Sequence, residues 1–183
     1  FGGPRPEARF RIEHAQVMRL GDIERMAELG VIASMQPTHA TSDMPWAEDR
    51  VGPSRLPGAY AWRRVLDAGG RLAFGSDFPV ELVEPTHGLY AAVTRQDQQG
   101  SPEGGWLPDQ RLDRAEALRG FTLDAARSLF LDEEVGSLEL GKRADLTVFA
   151  RDVMTVPAAE MPAVEIDMTL VDGEIAYRRK GAP

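Results

Sequence analysis

Cysteine is absent from the 183 residues and histidine is scarce, occurring only at His14, His39 and His87. The first absence excludes disulfides, thiolate metal sites and a cysteine nucleophile. Positive charge is also in short supply, with 21 basic against 29 acidic residues and a formal net charge of −8. No basic stripe is available to meet nucleic acid or an anionic membrane surface, and the single basic cluster, Arg178, Arg179 and Lys180, reads as a terminal tag-like run. No uncharged apolar run approaches the roughly 20 residues of a membrane-spanning helix. Asparagine is missing too, and lysine occurs only at Lys142 and Lys180. Asn and Lys have AT-rich codons whereas Arg, Ala, Gly and Pro have GC-rich ones, so a GC-rich bacterial genome is the simplest cause. Thermophily, whose usual mark is more Lys and Glu, fits less well. The chain opens on Phe1 without Met, charged n-region or apolar h-region, which leads us to expect no signal peptide, a cytoplasmic location and a fragment of a longer protein. What remains, 43% apolar and 27% charged residues, is the make-up of an ordinary globular chain.

After a Gly/Pro-rich opening (Gly2, Gly3, Pro4, Pro6), residues 11 to 16 read as a short strand ending in polar groups. Asp22 can cap a helix whose inward face carries Ile23, Met26 and Ala27, with Gly30 at its left-handed end. Val31 to Met35 is a buried strand broken by Pro37, and a polar excursion runs from Thr38 to Ser54. A second helix presents Ala59, Trp62, Val65 and Leu66, and Arg71 to Gly75 is a third strand. This strand-helix alternation predicts a parallel α/β sheet or barrel. Further helices are expected over 88–95, from Arg114 behind an Asp113/Glu116 capping box, and from Thr122 onward. Beyond Gly136 the apolar period changes to alternation through Leu146, Val148, Met168 and Leu170, with Asp172-Gly173 as a hairpin turn before Ile175 and Tyr177. We therefore place a boundary near residue 135, with residues 1–135 as the α/β part and 136–183 as a small β module. Eight strand-helix units take about 250 residues, so only three fit here.

The C-terminal edge of a parallel sheet is where α/β proteins build their sites. His14 ends the first predicted strand, His39 lies just past the second and Asp77 ends the third. If the strands are neighbours, the three project into a common mouth. Imidazole and carboxylate are the usual zinc ligands of a hydrolase, where three protein groups hold the metal and water takes the open position. Taken singly, each residue has a blander explanation: a satisfied histidine beside Gln16, a loop histidine after Pro37, and turn chemistry at Ser76-Asp77 before Pro79. His87 reads as a solvent-facing residue near a helix N-terminus.

Four runs alter that balance: Arg11-Ile-Glu-His-Ala-Gln16, Ala33-Ser-Met-Gln-Pro-Thr-His39, Phe74-Gly-Ser-Asp-Phe-Pro-Val80 and Gly136-Ser-Leu-Glu-Leu-Gly-Lys-Arg-Ala-Asp-Leu146. In this order and spacing the chain resembles the C-terminal part of the amidohydrolase superfamily, in its YtcJ-like (amidohydrolase 3) branch, which includes N-substituted formamide deformylases. The resemblance implies the last three βα units of a TIM-type (β/α)8 barrel with metal at its mouth, plus part of a composite β-sandwich. It implies that His14 corresponds to the sixth-strand histidine, a metal ligand or orienting group, and Asp77 to the eighth-strand aspartate, which binds metal and shuttles a proton. His39 and Arg55 would face the substrate. A divalent cofactor, zinc, as one or two ions, is implied, with most ligands outside these residues. No His-x-His pair, the family's first-strand signature, occurs in the sequence.

The expected parent activity is metal-dependent hydrolysis of carbon-nitrogen bonds other than peptide bonds, in an amide, formamide or cyclic amide, with this segment inactive alone. Esters and lactones submit to the same chemistry. From a different class, the chain could be a non-catalytic α/β domain that binds a small molecule or a partner. The expected partner of the enzyme is a small-molecule substrate, with neither nucleic acid nor membrane, and a homo-oligomer is compatible with the sequence.

Overall fold

A computed structural model describes residues 3–182; Phe1, Gly2 and Pro183 lie outside the described residues, so the Gly/Pro-rich opening is seen only from Gly3. Three short strands, β1 (Arg11–Glu13), β2 (Ile32–Met35) and β3 (Arg71–Phe74), pair in parallel in the order β1-β2-β3. Ser34 lies opposite Glu13 on one side and Ala73 on the other. Parallel neighbours need crossovers; α1 (Leu20–Leu29) joins β1 to β2, and α2 (Pro37–Val51) and α3 (Trp62–Asp67) lie between β2 and β3. All three strands therefore end on the same edge.

Gly30 closes α1 as its position suggests, with φ 71° and its N–H on the Ala27 carbonyl, but Arg19 holds the N-cap and Asp22 sits inside the first turn without a capping bond. The larger departure is α2, a 15-residue helix where the sequence reads as a polar excursion. Pro37 does not break the chain. It occupies the first helical turn, where a missing N–H costs nothing and the fixed φ suits a helix. Pro45 lies inside the same helix, and Thr38, His39, Ala40, Thr41 and Ala47 form its buried face.

Below the strand ends the core is aromatic. Trp62 of α3 is fully buried and meets Phe74 of β3 edge-on at 6.0 Å, and Phe74 packs against Phe121 at 5.4 Å. Each such burial stabilises by roughly 1.5–3 kcal/mol. Helix α4 (Pro85–Thr94) precedes α5 (Arg114–Phe121), which carries the predicted Asp113/Glu116 capping box. Helix α6 (Leu123–Ser128) starts at Thr122, whose hydroxyl turns back to the Leu118 carbonyl at 2.8 Å instead of capping forward.

Arg95, just past α4, is completely buried. Its guanidinium lies 4.2 Å from the Trp62 ring and 5.2 Å from that of Trp106. It donates to the Tyr60 carbonyl at 3.0 Å and to the Trp106 carbonyl at 2.9 Å. Burial pushes the guanidinium down to about 9, still above neutrality, so it remains a cation held by ring faces and carbonyls.

Strands β4 (Leu146–Phe149), β5 (Ile166–Val171) and β6 (Glu174–Arg178) form an antiparallel sheet in the order β4-β5-β6. Asp172 (φ 52°) and Gly173 (φ 81°) make the predicted tight turn. The basic run is no loose tag: Arg178 ends β6, and Arg179 reaches Asp167 Oδ1 at 2.6 Å. Between β4 and β5 the chain returns to α4, adding Val153, Val156, Met161 and Val164 to the same core as Trp62. Among the described residues no helix is long and apolar enough to cross a membrane.

Candidate active site

The strand ends build the site through unusual backbone. Directly after β1, His14 (φ 68°) and Ala15 (φ 42°) are both left-handed, and past β3 so is Asp77 (φ 58°). Non-glycine residues in sparsely populated conformations cost of order 1–3 kcal/mol and gather where function requires them. Local bonds hold them here: Ala15 N–H donates to the Glu13 carbonyl at 2.9 Å and Val80 N–H to the Asp77 carbonyl at 2.8 Å.

These kinks bring His14 Nδ1 to 4.0 Å from Asp77 Oδ2. His39, from the first turn of α2, places Nε2 at 3.8 Å from the same oxygen and stacks on His14 with ring centroids 5.8 Å apart. One ligand atom from each of the three lies within 4.8 Å of the others, the one such grouping of three metal-ligating side chains among the described residues. Arg55 is elsewhere: exposed beyond α2, it turns back to the Val51 carbonyl at 3.5 Å. His87 also stands apart, half-buried in the first turn of α4.

Four further residues surround the cluster and were not singled out from the sequence. Gln36 Oε1 lies 2.9 Å from His14 Nδ1. With the Gln36 amide in this orientation its oxygen accepts from Nδ1–H, which leaves the His14 lone pair on Nε2. Gln16 Nε2 lies 3.3 Å from His39 Nδ1 and 3.5 Å from Asp43 Oδ2. The Tyr60 hydroxyl donates to that same Asp43 oxygen, and burial together with the neighbouring carboxylate pushes the phenol far above its usual range. Gln16 and Gln36 belong to the same sequence runs as His14 and His39. His39 and Asp43 stand four residues apart on one helical face, a signal that exists only once residues 37–51 are helix.

Buried His39 Nε2 has no hydrogen-bond partner. Buried polar atoms rarely go unmatched; Thr38 Oγ1, Trp62 Nε1 and Arg95 Nη2 share this state, and His39 Nε2 is the one that faces the Asp77 carboxylate. Imidazole nitrogen and carboxylate oxygen are donors that a zinc-type divalent ion takes, so His14 and Asp77 fit such a metal, with His39 beside them.

Fold and site together define an α/β protein with a histidine-aspartate cluster at the C-terminal edge of a parallel sheet. The amidohydrolase family model matches residues 3–177, and the chain belongs to that family. It is 32% identical to the putative amidohydrolase YtcJ of Bacillus subtilis over 92% of its own length and 32% of the relative's. Against the N-substituted formamide deformylase of Arthrobacter pascens it is 33% identical, over 94% of this chain and 32% of that protein. The chain thus spans about a third of the length of these curated relatives. The crystal structure of an uncharacterized metal-dependent hydrolase from Pyrococcus horikoshii superposes with a TM-score of 0.70 at 34% identity, over 81% of this chain and 30% of that one.

Proposed function

We propose that this chain supplies the C-terminal part of a metal-dependent hydrolase that cleaves carbon-nitrogen bonds other than peptide bonds, in an amide, formamide or cyclic amide. The observation that carries the reading is the convergence of His14, His39 and Asp77 at the strand ends, with His14 and Asp77 on left-handed backbone. Likeness to a formamide deformylase and to a metal-dependent hydrolase supports the choice of bond and of cofactor. On this reading β1, β2 and β3 are the sixth to eighth strands of an eightfold barrel within residues 1–135, and residues 136–183 contribute to a β-sandwich. The substrate is a small molecule, and the parent is expected in the cytoplasm.

His14, through Nε2, and Asp77, through a carboxylate oxygen, would hold a divalent ion, zinc by the chemistry of the donors. When bound, such an ion supplies Lewis acidity, polarising a carbonyl and lowering the pKa of water. Asp77 accepts the proton of the attacking water as its oxygen bonds to the carbonyl carbon. It then delivers that proton to the leaving nitrogen as the carbon-nitrogen bond breaks. Gln36 holds the His14 ring in the ligating orientation. Buried His39 lies where it can donate to the carbonyl oxygen, while Arg55, on the surface, takes no part in this arrangement.

Two of the ligand groups alone hold metal weakly, so residues 1–183 by themselves should not turn over substrate. The test is a panel of N-substituted formamides, amides, cyclic amides, esters and lactones assayed with the full-length parent, before and after chelation. Formamide or amide hydrolysis that chelation abolishes and zinc restores is the expected result. Turnover of esters or lactones alone would move the substrate class, and metal-independent binding without turnover would replace the enzyme with a binding protein.

A further inference from the structure

The hydrogen-bond partners of the two histidines differ in kind, and that difference sorts their roles. His14 Nδ1 faces an acceptor, Gln36 Oε1, whereas His39 Nδ1 faces the amide nitrogen of Gln16. An amide can be turned end for end, so its direction must come from its other neighbour. For Gln16 that neighbour is the Asp43 carboxylate, 3.5 Å from Nε2, and a carboxylate accepts only. Turning the amide would set its oxygen against that carboxylate. The far side of Asp43 is closed by the Tyr60 hydroxyl, which donates to the same oxygen.

The backbone holds this alignment. Gln16 C=O accepts from Tyr60 N–H at 2.7 Å, Met18 N–H donates to the Gly58 carbonyl at 2.9 Å, and Val17 bridges Ala59. Buried Arg95 fixes the carbonyl of Tyr60 at 3.0 Å. Asp43 and His39 are one helical turn apart on α2, so Gln16 reaches both from the facing segment.

We propose that Tyr60, Asp43 and Gln16 form a hydrogen-bond network, with Asp43 as the common acceptor, that holds His39 in the tautomer protonated on Nε2, making it a donor to the substrate's carbonyl oxygen and not a metal ligand. Donation runs from Tyr60 Oη to Asp43 and from Gln16 Nε2 to both Asp43 and His39 Nδ1. The proton of His39 is then left on Nε2, the buried atom without a partner, which faces Asp77 at 3.8 Å. Gln16, Asp43 and Tyr60 are positioning residues that act through His39. This assignment deepens the hydrolase reading and rests on it for the identity of the acceptor.

The test reverses the network without changing its shape. In the parent protein with 15N-labelled imidazoles, the His39 resonances are assigned by their loss in His39→Gln and read at alkaline pH, where imidazoles are neutral. Expected is protonation at Nε2 in the unsubstituted protein. In Gln16→Glu/Asp43→Asn, each bond persists with donor and acceptor exchanged, and the proton should move to Nδ1. Protonation at Nδ1 in the unsubstituted protein, or a double variant whose tautomer is unchanged, overturns the proposal, and the first measurement stands even if the variant fails to fold. Hydrolysis is scored separately: loss of one donor at a developing oxyanion predicts a fall in kcat of about a hundredfold with little change in KM. A switched tautomer with kcat intact would uphold the network and refute the placing of the carbonyl against His39.

Discussion

At the residue scale, the site depends on atoms whose partners are few and specific. Gln36 hydrogen-bonds His14 Nδ1 and so restrains the ring, and losing such an orienting bond typically costs 10–100-fold in metal affinity or activity. Gln36→Ala in the parent should therefore weaken zinc binding about tenfold to a hundredfold in competition with a chromophoric chelator; unchanged affinity would remove Gln36 from the site. Arg95 gives a stability counterpart. Lys cannot span the Tyr60 and Trp106 carbonyls while stacking on two indoles. Arg95→Lys should lower the unfolding free energy by about 2–4 kcal/mol in urea titration, through the Trp106 carbonyl left unmatched and the lost stacking on both indoles. His14 and Asp77 are legible in the sequence because each follows a recognisable strand in a distinctive run. Gln16, Asp43 and Tyr60 are not, because they meet only across three segments whose approach no local pattern encodes.

At the scale of elements, the contact that seats Gln16 depends on one glycine. A Cβ on Gly58 would stand 1.8 Å from the Met18 carbonyl oxygen, with backbone on both sides and nowhere to yield. Gly58→Ala should part the 16–18 segment from 58–60, lowering stability by about 3 kcal/mol or more and moving the Gln16 side-chain amide resonances. A fully stable variant with those resonances unmoved would show that the approach is not required. The cap of α5 makes a pH prediction. The Arg63 guanidinium holds the Glu116 carboxyl below its usual range, so its contribution to stability is present above the unfolded carboxylate pKa and disappears as pH falls through the depressed folded value. The stability difference between the unsubstituted protein and Glu116→Gln should thus be largest near neutrality and vanish in strong acid; a constant difference would contradict the ion-pair origin. Most elements can be read from the sequence: β2 and β3 from their apolar runs, β1 as a short strand after the Gly/Pro-rich opening, though it ends at Glu13 and not at Gln16, α5 from its capping box, the β5-β6 hairpin from Asp-Gly. Helix α2 cannot, since two prolines and a polar composition mimic a loop, while the burial that sustains it comes from tertiary packing.

At the scale of the whole molecule, the parallel sheet is unevenly covered. All of β1 is exposed, Ile12 among it, and Phe10, Phe78 and Val80 flank the strands with half or more of their surface open. Parallel sheets are ordinarily covered on both faces, and in the proposed barrel further strands would lie here. Residues 1–183 expressed alone should scatter light and bind an apolar dye where the parent does not; a monodisperse, cooperatively unfolding segment would favour a self-sufficient binding domain. The central claim is that His14 and Asp77 form the hydrolytic metal centre of the parent. Its most direct test is zinc content together with the rate of formamide or amide hydrolysis in the full-length protein carrying His14→Ala or Asp77→Asn. Expected is a folded protein whose turnover falls by about a hundredfold to ten-thousandfold in Asp77→Asn, with zinc depleted in His14→Ala. Near-normal turnover in Asp77→Asn, or full zinc content and rate in His14→Ala, would contradict it.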